Sequence, residues 1–179
     1  MKQLIMMILT ASMAFGAAGM YEKDGVTFTV PEGWKVTRDK TSGDDTTTRI
    51  ISLESSKNTT MFITVWQPKS SGSIAQYADS WVKYREKMLP KTYGIGPIRL
   101  AKVIMQNTMV NKGAVQKRSF TGIYNEFIVK LPVFTIPYFS QVADISTSKA
   151  TVFVLVQAPK KEIAALSAFS EILESLTVK

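Results

Sequence analysis

The sequence feature that most constrains the fold is an unbroken apolar run near the C-terminus. Val152–Val156 reads VFVLV inside a β-branched segment, Lys149–Gln157. Successive side chains of a strand point to opposite faces of its sheet, so a run without alternation predicts a strand that is covered on both faces. The rest of the chain must therefore supply one layer on each side of that strand.

Two amphipathic segments are predicted to form helices that supply these layers. The first is predicted over Ile74–Leu89, because Ser73 and Gln76 have the spacing of a capping box, and Pro90 predicts its end. The residues that fall on one stripe of this amphipathic helix are Ile74, Tyr77, Ala78, Trp81, Arg85 and Met88. The second helix is predicted to open at Pro159. Its residues spaced for burial are Ile163, Leu166, Phe169 or Ser170, Leu173 and Leu176.

The remaining segments predict an α+β fold. The further predicted strands are Val26–Val30, Trp34–Arg38, Arg49–Leu53, Met61–Trp66, Arg99–Val110 and Ala114–Val129. Asn111-Lys112-Gly113 predicts a tight hairpin turn between the last two. Pro132 and Pro137 in LPVFTIPYFSQV favour an edge strand or a loop. Short connections predict a mostly antiparallel sheet, flanked by the helices in a helix–sheet–helix sandwich.

The first twenty residues have the pattern of a secretory signal. One lysine precedes a short apolar run, and small residues follow it. The run is shorter than the roughly 20 residues that span a bilayer. Cleavage is expected after Ala18, with Gly16 and Gly19 as alternative positions. We therefore expect a signal peptide over residues 1–18 and a single domain over 19–179 that is exported and, once cleaved, soluble in the periplasm or outside the cell, with no transmembrane segment. An uncleaved membrane anchor is the alternative.

The chain contains neither cysteine nor histidine. The lack of cysteine excludes disulfides, a lipoprotein anchor and thiol nucleophiles. The lack of histidine removes the commonest general base and the commonest metal ligand. The chemistry that remains is serine with lysine, paired carboxylates or a cation bound by oxygen atoms. We expect no cofactor and no metal.

Two motifs suggest such chemistry. Ser80–Lys83 spells S-x-x-K, the acylating motif of penicillin-recognising enzymes, and Ser146–Lys149 repeats it. The elements that accompany this motif in those enzymes are missing, so we reject the catalytic interpretation and predict no catalytic residue. Asp44 and Asp45 lack the alternating spacing of a calcium loop, and a solvated turn is the preferred interpretation.

The segment FTVPEGW, Phe28 to Trp34, resembles the PsbP-like superfamily, as does the closing-helix pattern in FSEILESL. That superfamily includes photosystem II extrinsic proteins, bacterial envelope proteins of the DcrB type and a fungal Ran-binding import factor. The resemblance implies an α+β fold and a non-enzymatic accessory, assembly or binding role. Pro31–Gly33 is predicted to form a hairpin turn that delivers Trp34 into the core.

The net charge is +8, and the excess lies in the middle of the chain. Between Trp81 and Lys130 the only acidic residues are Glu86 and Glu126. The candidate surface for an anionic partner is Lys83, Arg85, Lys87, Lys91, Tyr93, Lys112, Lys117 and Arg118. The expected partners are an unidentified protein, anionic lipid or acidic glycan at the envelope. Nucleic acid is disfavoured as a partner because the protein is expected to be exported.

These observations predict an exported, non-enzymatic accessory or binding protein of the bacterial envelope. One alternative is a hydrolase that uses serine with lysine or carboxylates. Another is a basic face that only aids solubility. If the basic surface binds nothing, the apolar segment with Phe134, Tyr138 and Phe139 becomes the candidate partner site.

Overall fold

The chain folds into ten strands and two helices within the residues that the computed structural model describes, 18–43, 47–55, 59–69, 72–93, 102–115 and 118–179. In chain order they are β1 (Gly19–Lys23), β2 (Val26–Val30), β3 (Trp34–Ser42), β4 (Thr47–Ser55), β5 (Thr60–Gln67), α1 (Ile74–Tyr93), β6 (Lys102–Val115), β7 (Arg118–Lys130), β8 (Thr135–Asp144), β9 (Thr151–Pro159), α2 (Ala164–Ser175) and β10 (Thr177–Val178). The predicted α+β class is confirmed.

The strands form two antiparallel sheets. The larger has the order β3-β4-β5-β9-β8-β7-β6, and the smaller has the order β1-β2-β10. Every pairing of neighbouring strands in them is antiparallel, as predicted. The strand β9 is the middle strand of the larger sheet, and all its residues are buried. The prediction of a strand covered on both faces is therefore confirmed.

Successive side chains of β9 belong to two different hydrophobic clusters. Phe153 and Leu155 pack with Ala78 of α1 on one face. The opposite face packs with α2 and β2 through Val152, Val154 and Val156. Full burial of one such side chain contributes about 1.5–3 kcal/mol. These five residues therefore contribute on the order of 10 kcal/mol, counted from an extended unfolded chain.

The helix α1 begins where the capping box predicts. The backbone N–H of Gln76 donates to Ser73 Oγ at 3.1 Å, and the Tyr77 N–H donates to the Ser73 carbonyl at 3.0 Å. The predicted end at Leu89 is wrong, because the helix runs through Pro90 to Tyr93. A proline at that position removes one backbone donor and crowds the carbonyl four residues before it, so the helix continues past Pro90 at a local cost.

The helix α2 begins later than predicted. Pro159 is the last residue of β9, and a turn follows it, in which the Glu162 N–H donates to the Pro159 carbonyl at 2.8 Å. Ile163 occupies the cap position before the first helical residue and is 69% exposed, so its predicted burial is wrong. The predicted burial of Phe169 and Leu173 is confirmed.

The strands β6 and β7 stay paired beyond the predicted hairpin turn. Asn111, Lys112 and Gly113 lie inside β6, with Gly113 opposite Phe120, and the last pair is Val115 with Arg118. Local turn preference at Asn-Lys-Gly is therefore overridden by the register of the two long strands. That register shifts once, at a bulge between Met105 and Asn107.

The strand β8 lies inside the sheet, between β7 and β9, so the predicted edge or loop position is wrong for Pro137, whereas Pro132 does lie in the loop that precedes β8. Pro137 pairs with Ile128 of β7, but the pairing with β9 starts one residue later, at Tyr138 opposite Pro159. The proline therefore lies beyond the end of one neighbouring strand, where a missing N–H donor costs no ladder hydrogen bond.

The Pro-Glu-Gly turn connects the two sheets instead of forming a hairpin. β2 belongs to the smaller sheet and β3 to the larger. The Trp34 N–H donates to the Pro31 carbonyl at 3.0 Å, and Gly33 has φ +76°, a value that favours glycine at the third position of a β-turn. The prediction of a hairpin is wrong, but Trp34 does enter the core and is only 8% exposed.

Replacing Trp34 with alanine should lower the free energy of unfolding by about 3–5 kcal/mol, because it leaves a cavity in the larger cluster. Urea denaturation followed by circular dichroism measures this change. Phe134, which is 56% exposed, gives the matched control, and its alanine variant should stay within about 1 kcal/mol of wild type. Equal losses in the two variants would contradict the assignment of Trp34 to the core.

Candidate functional site

A groove lies between α1 and the strands β3, β4 and β5, with a cavity of about 680 Å³. Three rungs of paired residues form its sheet side, and alternate residues of a strand point to the same face. These rungs are Lys40-Ile50-Thr64, Arg38-Ser52-Phe62 and Ser42-Thr48-Trp66. The helix side consists of Tyr77, Ser80, Trp81, Lys83 and Tyr84. A cavity of this size matches those that hold small organic ligands.

Five aromatic side chains form a continuous wall of the groove. Phe62 stacks on Trp81 with ring centroids 4.0 Å apart. Trp66 meets Tyr77 edge to face at 5.7 Å, and Tyr84 meets Trp81 edge to face at 5.2 Å. Trp81 is only partly buried and Tyr84 is exposed, so the wall presents apolar surface to a ligand.

The Tyr77 hydroxyl lies at the base of this wall. Its oxygen is 2.7 Å from Thr64 Oγ1, and burial raises the pKa of Tyr77 well above its ordinary value. The hydroxyl therefore stays protonated near neutral pH. It can donate or accept a hydrogen bond there, but it does not act as a base.

Three cations line the groove. Arg38 and Lys40 extend from β3 and Lys83 extends from α1, and all three are exposed. No acidic side chain is among the described residues that line this cavity, and none of the three cations forms an ion pair with another described residue. Cations beside an apolar wall create a positive potential that attracts an anion.

A bulge in β3 directs two of these cations into the groove. The register of β3 with β4 shifts between Val36 and Arg38. Trp34 and Val36 pack in the larger cluster, whereas Arg38 and Lys40 line the groove on the opposite face. Without the extra residue, strict alternation would place the cations on the same face as Trp34.

A second cavity, of about 410 Å³, continues the groove toward β9. The two cavities share Arg38, Ser52, Phe62, Trp81 and Tyr84. The continuation adds the next rung of the sheet, Glu54-Thr60-Gln157. The groove therefore has a basic end and an end lined by an acid and an amide.

Lys83 is the one residue of the predicted basic surface whose side chain the structure describes. It is exposed and lines the groove. The side chains of Arg85, Lys87, Lys91, Tyr93, Lys112, Lys117 and Arg118 lie outside the described part of the chain. That surface stays a prediction. Sequence reasoning missed Arg38 and Lys40, and no local signal marks the bulge that brings them to Lys83.

The serines of the two S-x-x-K motifs bond to backbone groups. Ser80 Oγ donates to the Tyr77 carbonyl at 2.8 Å. Ser146 Oγ accepts from the Val152 N–H at 3.0 Å. The carboxylates Asp44 and Asp45 lie outside the described residues. Within the described ranges, no three acidic side chains gather as a set of metal ligands.

The predicted apolar partner segment is only partly at the surface. Phe134 is exposed, but Tyr138 and Phe139 are buried, so the prediction is wrong for these two residues. Tyr138 stacks with Phe127, and Phe139 stacks with Tyr124. They are adjacent residues of an interior strand, so each packs on one of its two covered faces.

A buried ionic cluster on the opposite face of β3 joins the two sheets. Arg49 Nε and Nη2 donate to the two carboxylate oxygens of Asp39, both at 2.9 Å. The Tyr21 hydroxyl donates to Asp39 at 2.7 Å, and Lys23 Nζ donates to it at 2.9 Å. Arg49 Nη1 also donates to the backbone carbonyls of Lys23 and Asp24. Each of these charged groups has a partner, so the cluster holds the fold together.

The charges of this cluster shift its pKa values in opposite directions. The hydrogen bonds from Arg49 are the main cause that holds the pKa of Asp39 well below its usual range. Burial, reinforced by the Asp39 carboxylate, raises the pKa of Tyr21 to about 12. A carboxyl whose folded pKa is lowered stabilises the fold above its ordinary pKa of about 4. That contribution is lost as the pH falls below this value.

Asp39→Asn should lower the free energy of unfolding by on the order of 2–4 kcal/mol near neutral pH, because Arg49 keeps its buried charge but loses its anion. Wild type should lose on the order of 1 kcal/mol more than the variant between about pH 5 and about pH 3. Urea denaturation at both pH values measures this. Parallel pH profiles of the two proteins would contradict the assigned role of Asp39.

Comparisons with known proteins find a solved structure to which this chain is similar. No family model matches the chain, and no curated protein matches it. The chain is similar to the solution structure of cyanobacterial PsbP (CyanoP) from Synechocystis sp. PCC 6803. The TM-score is 0.48 at 11% sequence identity, and the match covers 94% of this chain and 96% of that one. That protein is of the kind that the predicted resemblance names, and nothing about partners or activity follows from it.

The predicted relation to DcrB-type envelope proteins and to the Ran-binding factor stays a prediction. In the described ranges of the chain, neither helix is long and apolar enough to cross a membrane.

Proposed function

We propose that the chain is an exported, non-enzymatic binding protein of the bacterial envelope. It holds an anionic partner in the groove between α1 and β3–β5. The observation that carries this proposal is the set Arg38, Lys40 and Lys83, which lie beside an aromatic wall with no acid among the described residues that line the cavity. The pattern of a secretory signal in the first twenty residues supports the proposed export of the protein.

The lining of the groove defines the chemistry of this partner. The aromatic wall offers apolar contact area, and the cations offer charge-assisted hydrogen bonds at its rim. A ligand that uses both features has an anionic group on an apolar body. Such a ligand gains from the positive potential during approach and from burial of apolar surface once bound.

The PsbP-like resemblance is consistent with this role, since it implies an accessory or binding protein. We extend it to the finer architecture, in which α1 and α2 cover opposite faces of the larger sheet as a helix–sheet–helix sandwich. The contacts of β9 with both helices support that arrangement. In it, the groove is the part of the α1 face that lies over the strands β3–β5.

The alternative is a hydrolase that uses serine with lysine or carboxylates. Ser80 and Lys83 both line the groove, which is the observation in its favour. Against it, the Ser80 hydroxyl donates to a backbone carbonyl of its own helix instead of to a base. A nucleophilic serine requires a neighbouring group that takes its proton.

Binding of 2-naphthoate, measured by isothermal titration calorimetry, tests the proposal. It should bind more tightly than its neutral counterpart 2-naphthamide, and the difference should shrink in high salt, because the Debye length falls from about 10 Å at 0.1 M to about 3 Å at 1 M. Reversing two charges, in Lys40→Glu with Lys83→Glu, should weaken 2-naphthoate binding by about tenfold. Both side chains are exposed, so the melting temperature should change little.

Lys161→Glu is the matched control for this experiment. Lys161 is exposed and precedes α2, away from the residues that line the groove. Lys161→Glu changes the net charge by the same amount as each of the two groove substitutions. It should nevertheless leave the affinity for 2-naphthoate within about twofold of wild type. Equal binding of naphthoate and naphthamide, or equal effects of all the charge reversals, would contradict the proposal.

A further inference from the structure

One buried side chain at the far end of the groove has a polar atom without a partner. Gln157 is 3% exposed, and its Nε2 makes no hydrogen bond within the part of the chain that the structure describes. Buried polar groups in folded proteins are nearly always bonded, so an unpaired amide requires an explanation. Gln157 also lines the second cavity, which is continuous with the groove. A ligand in the groove can therefore supply the missing acceptor.

The neighbours of Gln157 restrict what that acceptor can be. Thr60 and Glu54 lie on the same rung and line the same cavity, and the Glu54 side chain is exposed. The amide N–H group requires an oxygen that accepts, while the exposed Glu54 carboxylate can bond only to a group that donates. A hydroxyl group meets both requirements. A second anionic group would meet attraction from Arg38, which lines both cavities, as well as repulsion from Glu54, and it offers no donor to the Glu54 carboxylate.

The two ends of the groove are separated by two rungs of the sheet. From Ile50, which lies opposite Lys40, to Glu54 the strand advances about 13 Å at roughly 3.3 Å per residue. Phe62 and Trp81 lie between these ends and line both cavities. The geometry therefore orders three features along the groove, which are a basic end, an aromatic middle and an end that selects a hydroxyl.

We propose that the groove takes an apolar anion that carries a hydroxyl group at the end opposite its charge, and that Gln157 is the residue that selects this hydroxyl. The proposal rests on the proposed function, because Lys40 and Lys83 hold the anionic end. In addition, the apolar body of the ligand lies along the aromatic middle of the groove. Its hydroxyl group donates to the Glu54 carboxylate and accepts from the Gln157 amide.

Calorimetry with 6-hydroxy-2-naphthoate and 2-naphthoate tests this selection. The hydroxy compound should bind wild type about tenfold more tightly, the upper range for one added hydrogen bond at a buried donor. Gln157→Met keeps the length of the side chain without the amide. This variant should lose most of the preference for the hydroxy compound, because only the bond to the Glu54 carboxylate remains, and that carboxylate is exposed to competing water. Its melting temperature should not fall, because an unpaired buried donor has been removed.

Asn125→Leu is the matched control. Asn125 is fully buried, both polar atoms of its amide are unpaired, and it lies on the same rung two strands beyond Gln157. It is not among the residues that line either cavity of the groove. This variant also removes an orphaned amide, but it should keep the tenfold preference.

The outcomes separate this inference from the proposed function. Binding of 2-naphthoate that depends on Lys40 and Lys83, with no preference for the hydroxy compound, would overturn the role of Gln157 alone. A buried water that already satisfies Gln157 would give that result. A tenfold preference that survives undiminished in Gln157→Met would also overturn it. Absence of binding by both compounds in wild type would overturn both proposals.

Discussion

The rest of the structure depends on the burial of β9 from both sides. Its five consecutive apolar residues cannot be shielded by one layer, so α1 and α2 each contribute a cluster to it. This requirement also positions the groove. The face of β9 that packs with α1 continues through Phe62 and Trp66 of β5 to the strands β3 and β4, where the described part of α1 leaves apolar and basic surface open.

The strand β3 separates two kinds of cationic site. On one face, Asp39 binds the buried Arg49 and ties the smaller sheet to the larger. On the other face, its neighbours Arg38 and Lys40 have no acidic partner among the described residues. Paired charge stabilises the fold, whereas cations without a counterion are available to a ligand. Because adjacent residues of one strand perform these two roles, substitutions at Asp39 and Lys40 should have separable effects.

The parts of the fold that local sequence predicts are those with local physical causes. The apolar run of β9 and the serine cap of α1 belong to this group, and both are confirmed. The register of β6 with β7 and the interior position of β8 depend on pairing between distant segments, which turn preferences and prolines do not reveal. The candidate site was largely unpredictable for the same reason. Lys83 was identified from the sequence, but Arg38 and Lys40 reach the groove only through a bulge that reverses the alternation of β3.

The two bulges have a further consequence for solubility and assembly. The strands β3 and β6 are the edges of the larger sheet, and each has one break in its register. An intact edge offers a regular row of backbone donors and acceptors to a strand of another molecule, which is how sheets extend into fibrils. A bulge interrupts that row and increases the local twist. At β3 the same irregularity that directs cations into the groove thus also obstructs edge-to-edge aggregation, so removing it would impair ligand binding and colloidal stability together.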